Sequence, residues 1–302
     1  MALGRRDERP EVPLVSGLVA IQMAVLTAYS VPAFVNGQNW DHVYADSDDG
    51  LRWCCFGRDT GGSSLDQGNG DSSFADCLSK PIFHASPTTT VIPGVSRYAD
   101  VAYLLDGVCH QAANRILYPA GVLVDKARGY GLSSFLFNTF GLRATVPWPR
   151  LTHCANLQSG TSAGSSSGGT PMSTSGQTVS RLLQRIKDLY TSTTPADLSS
   201  TSTVSRLEFR ALAFENLGGA YPPDKIAKVA EIQSNLREKQ LFLLSQIETG
   251  ALSTDVYVES LRQLIAETAS RCEVILGPRD FQRLFGVSAE AAPDIIQKPL
   301  PH

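Results

Sequence analysis

The chain carries little charge for its length. Only 18% of its 302 residues are charged, the formal net charge is -3, and the isoelectric point is about 6.0. Lys and Arg form no run and do not alternate with aromatic residues. Because nucleic-acid binding depends on clustered positive charge that neutralises phosphates, we expect no nucleic-acid partner.

The sequence also lacks the common cofactor and metal motifs. It contains no GxGxxG, GxxxxGK[ST], CxxC or HxxxH pattern. The alternative is a metal site built from adjacent Cys and His residues, which occur in three pairs: Cys54-Cys55, Cys109-His110 and His153-Cys154. Zinc takes such ligands, but adjacent residues of a helix or strand point apart and rarely bind one ion. We therefore expect no cofactor and no metal.

The six cysteines form no compact repeated framework. In an exported chain, Cys77 would pair with Cys54 or Cys55, whereas in a cytosolic chain all six would be free thiols. Spacing alone does not choose between these alternatives.

The N-terminal segment supports two interpretations. Three arginines precede an uncharged stretch over residues 12–40, and Val-Pro-Ala at 31–33 resembles the end of a secretory signal, although acidic residues dilute the positive start. A signal or membrane anchor over residues 1–33, with membrane association through 12–33, is slightly favoured over a buried helix. A secreted, periplasmic or membrane-anchored location is correspondingly favoured over the cytoplasm.

Composition divides the chain into two parts. Residues 157–180 are mostly Ser, Thr and Gly, which bury little surface, so they are interpreted as a flexible linker. A second such stretch covers residues 191–205. We therefore predict an α+β domain over residues 34–156 and an all-α accessory domain over 181–302.

Upstream of the linker, short patterns predict strands followed by a helix. Residues 40–45 and 51–56 form a predicted β-hairpin, and residues 88–92 add a strand. A helix begins near Cys109, and the aromatic, glycine-rich segment 129–140 is a candidate wall or lid.

Downstream of the linker, the pattern is helical. Apolar residues recur at steps of three and four from Asp224 to Ile247, and again from Val258 to Ile275. The short break at residues 249–253 predicts an antiparallel helical hairpin. Shorter helices are predicted at 179–190 and 280–285.

The hairpin ends in the tail Ile275-Leu276-Gly277-Pro278-Arg279-Asp280-Phe281. With this tail it resembles the long-helix pairs of Spy/CpxP-like periplasmic proteins, over about the last quarter of the chain. A generic accessory or dimerisation module is the alternative.

The most informative segment surrounds Cys109. Asp106 and Gly107 make a turn and good helix formers follow, so Cys109 falls in the first turn of a helix. Unpaired amide groups and the positive end of the helix dipole favour a thiolate there. The alternative is a small buried Cys at the start of a core helix.

His42, in the first predicted strand, is the candidate general base. In papain-like sites an imidazole on a strand takes the proton of a thiol at a helix N-terminus. Here "Asp-His-Val-Tyr…Asp-Gly-Leu-Arg-Trp" precedes "Gly-Val-Cys-His-Gln-x-x-Asn-Arg". This order resembles the circularly permuted NlpC/P60 and lecithin:retinol-acyltransferase group of papain-like enzymes, over residues 38–145.

The resemblance implies a small antiparallel sheet with a nucleophile helix, and a thiol-dependent hydrolase or acyltransferase. A thioester would form at Cys109 on an amide, peptide or ester substrate, with His42 as base and then acid, and first-turn amides would stabilise the oxyanion. Candidates for orienting His42 are Asp48, Asp49 and Cys54.

Other polar residues of the predicted helix have lesser roles. His110 points about 100° around the helix from Cys109, so it is the less favoured base. Gln111 and Asn114 are candidate cleft-lining groups. Arg115 is either paired with an acidic neighbour such as Asp106 or solvated, and the solvated alternative is favoured.

Two classes of function follow. The first is a cysteine peptidase, amidase or acyltransferase. The second is a non-enzymatic binding or structural protein, whose helical hairpin docks a protein partner or another copy of the chain. In the second class, Cys109 is unreactive and its pKa is high.

Overall fold

The computed structural model describes residues 23–35, 38–47, 52–53, 88–93, 101, 104–118, 122–142, 180–198 and 200–296. Its strands are β1 (Met23–Val35), β2 (Gln38–Ser47), β3 (Arg52–Trp53) and β4 (Thr88–Pro93). The α-helices in these residues are α1 (Cys109–Leu117), α2 (Tyr130–Phe137), α3 (Arg181–Thr191), α4 (Pro195–Leu198), α5 (Thr201–Leu217), α6 (Pro223–Glu248), α7 (Thr254–Leu276) and α8 (Pro278–Phe285). A 3-10 helix covers Ala292–Ile295.

The strands pair antiparallel in the order β3-β2-β1-β4. Val31 of β1 lies opposite His42 of β2, and Leu26 lies opposite Thr90 of β4. The helical part of the predicted fold class is confirmed by α3 to α8, whereas the papain-like arrangement of sheet and helix stays a prediction.

The segment Met23–Val35 differs from the sequence-based expectation. It is a strand between β2 and β4, so the buried-helix interpretation is wrong for these residues. An apolar run without a clear period fits a buried strand as well as a buried helix, which explains the error. No helix in the described part of the chain is long and apolar enough to span a membrane, and residues 1–22 lie outside that part.

Two further expectations are corrected. Residues 129–140 are not a lid, because they contain α2, whose side chains are all buried.

The stretch 191–205 is not a linker, because it contains α4 and the start of α5. Ser and Thr are favoured at helix N-termini as well as in linkers, and Thr194 accepts a hydrogen bond from the Asp197 amide at the start of α4. Residues 157–179 lie outside the described residues.

The predicted helical hairpin is confirmed as α6 and α7, with residues 249–253 between them. The Ser253 side chain caps α7 by accepting from the Val256 amide. The short helices predicted at 179–190 and 280–285 correspond to α3 and α8. Helix α5 was not predicted.

Side chains from the helical half bind the C-terminal end of α2. Arg237 of α6 donates to the Leu136 carbonyl and, at 2.8 Å, to Oδ1 of Asn138. Gln233 donates to the Phe135 carbonyl at 2.9 Å. The Glu208 carboxylate of α5 accepts from the Thr139 amide at 2.7 Å.

Helix α1 binds the same turn from the other side. Gln111 donates to the Asn138 carbonyl at 2.9 Å, Asn114 to the Thr139 carbonyl at 3.0 Å, and Arg115 to the Phe140 carbonyl.

One cluster of buried apolar side chains also continues from Trp40 to Ile296. The predicted boundary near residue 156 stays a prediction, but the two halves share this polar turn and this core.

Gly141 provides a test of this packing. Its φ is +112°, and a Cβ there would lie 2.5 Å from Nη2 of Arg115 and 3.0 Å from the Asp106 carboxylate oxygens. Gly141→Ala combines an unfavourable backbone conformation with displacement of an ion pair. We therefore expect urea unfolding to show that the free energy of unfolding falls by about 3 kcal/mol or more.

Gly218→Ala is the matched control, because φ is +90° there and a Cβ meets nothing within 4 Å. It should carry the backbone cost alone, about 1–3 kcal/mol, because its φ of +90° and ψ of 159° lie in a region that is essentially restricted to Gly. Equal losses in the two variants would contradict the proposed clash.

Candidate functional site

Cys109 is the first residue of α1, as predicted, with Val108 as the N-cap. Its side chain is buried, and burial raises the pKa of the thiol to about 12. Backbone amides, including that of Val43, lower this pKa, whereas the nearby Asp41 carboxylate raises it further. Desolvation therefore outweighs the helix N-terminus, and the thiol stays protonated at neutral pH.

His42 lies in the middle of β2 and is buried. Burial, followed by the nearby His110, lowers the pKa of His42 to about 3, so its ring is neutral. Helix α1 packs against β2, which brings the His42 strand and the Cys109 helix together. Side chains alternate along a strand, so the His42 side chain lies on the opposite face from those of Asp41 and Val43.

His110 connects α1 to α2. Its Nδ1 lies 2.7 Å from Oγ of Ser133, and that hydroxyl donates to the Tyr130 carbonyl at 3.0 Å. The hydroxyl proton is thus used, so we assign the hydrogen of the first bond to Nδ1 of His110. Burial lowers the pKa of His110 to about 4 despite the nearby Asp41 main chain and carboxylate. Sequence reasoning missed Ser133, which lies 23 residues away.

Gln111 and Asn114, the candidate cleft-lining groups, are fully buried. Gln111 accepts from the Val108 amide at 3.0 Å, and Asn114 accepts from the Val124 amide at 2.9 Å. Both also donate to the turn after α2, so we assign them structural roles. Arg115 pairs with Asp106, so the favoured solvated alternative is wrong and the ion-pair alternative is confirmed.

Several predicted site residues lie outside the described residues: Asp48, Asp49, Cys54, Cys55, Cys77, His153 and Cys154. The free cysteines of the described part are Cys109 and Cys272, both buried. Within that part, no group of three or more His, Cys, Asp or Glu residues could hold a metal ion.

A surface groove lies between α5 and α6, which are consecutive helices joined by residues 218–222. The groove has a volume of about 830 Å³. Arg206, Arg210 and Phe214 of α5 line one side, and Ile226 and Ala230 of α6 line the other. Sequence reasoning missed this groove because it missed α5, although the apolar stripe of α6 was visible.

No family model, curated protein or solved structure matches this chain. The papain-like and Spy/CpxP-like resemblances therefore stay predictions.

The buried histidines predict a stability change with pH. His42 and His110 have pKa values of about 3 and 4 in the folded protein, against 6.5 for an ordinary His. The unfolded chain therefore binds protons that the folded protein excludes, and stability should fall as the pH drops from about 6.5 towards 4. Urea unfolding across this range would measure the slope.

His110→Asn should reduce that slope, because it removes one of the two histidines whose pKa is lowered by folding. Each unit of that lowering reduces the free energy of unfolding by about 1.4 kcal/mol once the pH is below the pKa values of the folded and the unfolded states. Ser133→Ala is the control, because it removes the hydrogen-bond partner and keeps the titrating ring. An unchanged slope in His110→Asn would show that the His110 pKa is not depressed.

Proposed function

We propose that this protein is a non-enzymatic structural protein whose helical half docks a protein partner. The observation that carries the proposal is the groove between α5 and α6, with its volume of about 830 Å³. Its lining contains none of the predicted catalytic residues. The proposal therefore separates the docking surface from the buried Cys109 region.

The chemistry of the groove supports a docking role. Phe214 is 45% exposed, and the Arg185 guanidinium stacks 3.5 Å from its ring centroid, which holds an exposed aromatic ring in place. Arg206 and Arg210 are exposed on the same helix. Aromatic and Arg side chains are the types enriched at protein interfaces.

The Cys109 region supports the same proposal. A thiol nucleophile needs thiolate character and access to substrate. Cys109 has a raised pKa of about 12, and His42 a lowered pKa of about 3. Both side chains are buried, and the polar residues beside Cys109 bind main-chain groups.

The second candidate is the thiol-dependent hydrolase or acyltransferase. The observation that favours it is the position of Cys109 in the first turn of α1, packed against the strand that carries His42. An amide, peptide or ester substrate would reach Cys109 only if this region opened.

Alkylation of the native protein against pH decides between the two. Iodoacetamide labelling, resolved by peptide mass spectrometry, compares Cys109 with Cys272, a matched control that is also buried and whose pKa burial also raises to about 12. A structural Cys109 should be labelled no faster than Cys272 below pH 8. Selective labelling of Cys109 below pH 7 would contradict the proposal and favour the enzyme.

A further inference from the structure

One face of α6 continues from the groove into an exposed apolar surface. Ala227, Ala230 and Ser234 line the groove at steps of three and four. The helical repeat carries the same face on to Glu238 and then to Leu241 and Phe242. Leu241 and Phe242 are 41% and 63% exposed. We call these six residues the α6 face.

The two halves of the α6 face are complementary in size. The half before Ser234 carries the small residues Ala227 and Ala230 beside the groove, and the half after it carries the large Leu241 and Phe242. Ala227 and Leu241 are equally distant from Ser234 along the helix. A two-fold axis beside Ser234 would therefore set Leu241 of one copy opposite Ala227 of the other.

Charge is complementary in the same arrangement. The axis sets Glu238 opposite Ala230 in the groove. The charged residues that line the groove are Arg206, Arg210 and Glu231, so its lining carries a net positive charge. Glu238 and Arg210 are both exposed in a single chain. An oppositely charged pair would thus form twice across the interface, which favours this register over a parallel one.

We infer that the partner in the groove is a second copy of this chain, docked through antiparallel α6 faces. Leu241 and Phe242 of each copy enter the groove of the other, and Glu238 meets Arg210. The inference rests on the proposed docking function and names its occupant.

The test is the oligomeric state of the full chain by sedimentation velocity across a concentration series. We expect a species of twice the chain mass of 32.5 kDa. Phe242→Asp should weaken dimerisation by about tenfold or more. Val274→Asp is the matched control, because Val274 is 85% exposed on α7, outside the α6 face, and it should leave the dimer unchanged.

A charge exchange tests the register. Arg210→Glu should weaken the dimer, and the double variant Arg210→Glu with Glu238→Arg should restore it. A monomeric wild type, equal effects of Phe242→Asp and Val274→Asp, or failure of the double variant would each overturn the inference. None of these outcomes affects Cys109 labelling, which tests the proposed function. Failure of the dimer is therefore distinguishable from failure of the proposed function.

Discussion

The structure depends on the enclosure of the C-terminal end of α2. The last carbonyl groups of any helix have no partner within the helix and carry its partial negative charge. Here that end is buried, and the chain leaves it through Asn138, whose φ is +62°, an uncommon value for a residue other than Gly. The Arg237 guanidinium supplies both hydrogen bonds and positive charge at this point.

The buried charges of Arg237 and Glu208 beside this turn compensate each other. Burial lowers the pKa of Arg237 to about 9, and the Glu208 carboxylate opposes that shift. Burial also raises the pKa of Glu208, while bonds from Thr139 and Tyr190 oppose that change. Removing either charge would leave the other uncompensated, which costs more than the pair contributes. The same turn also occupies the side chains of Gln111, Asn114 and Arg115 of α1.

Sequence patterns predicted the parts of the fold that depend on local order. The period and caps of α6 and α7 were visible, as were the start of α1 and the strand that carries His42. Long-range contacts were not visible, because Arg237 and Leu136 are 101 residues apart and no local pattern links them. Burial was also hidden: the sequence places Cys109 at a helix N-terminus, but only packing decides whether its thiol is desolvated.

Native-state amide hydrogen exchange tests most directly whether this buried turn joins the two halves. The Thr139 amide donates to Glu208, and the Leu142 amide donates to the Asp106 carbonyl. If the turn holds the halves in one cooperative unit, these amides should exchange with the same opening free energy as amides in the middle of α6 and α7. Exchange of α1, α2 and this turn at a clearly lower free energy, while α6 and α7 remain protected, would contradict it.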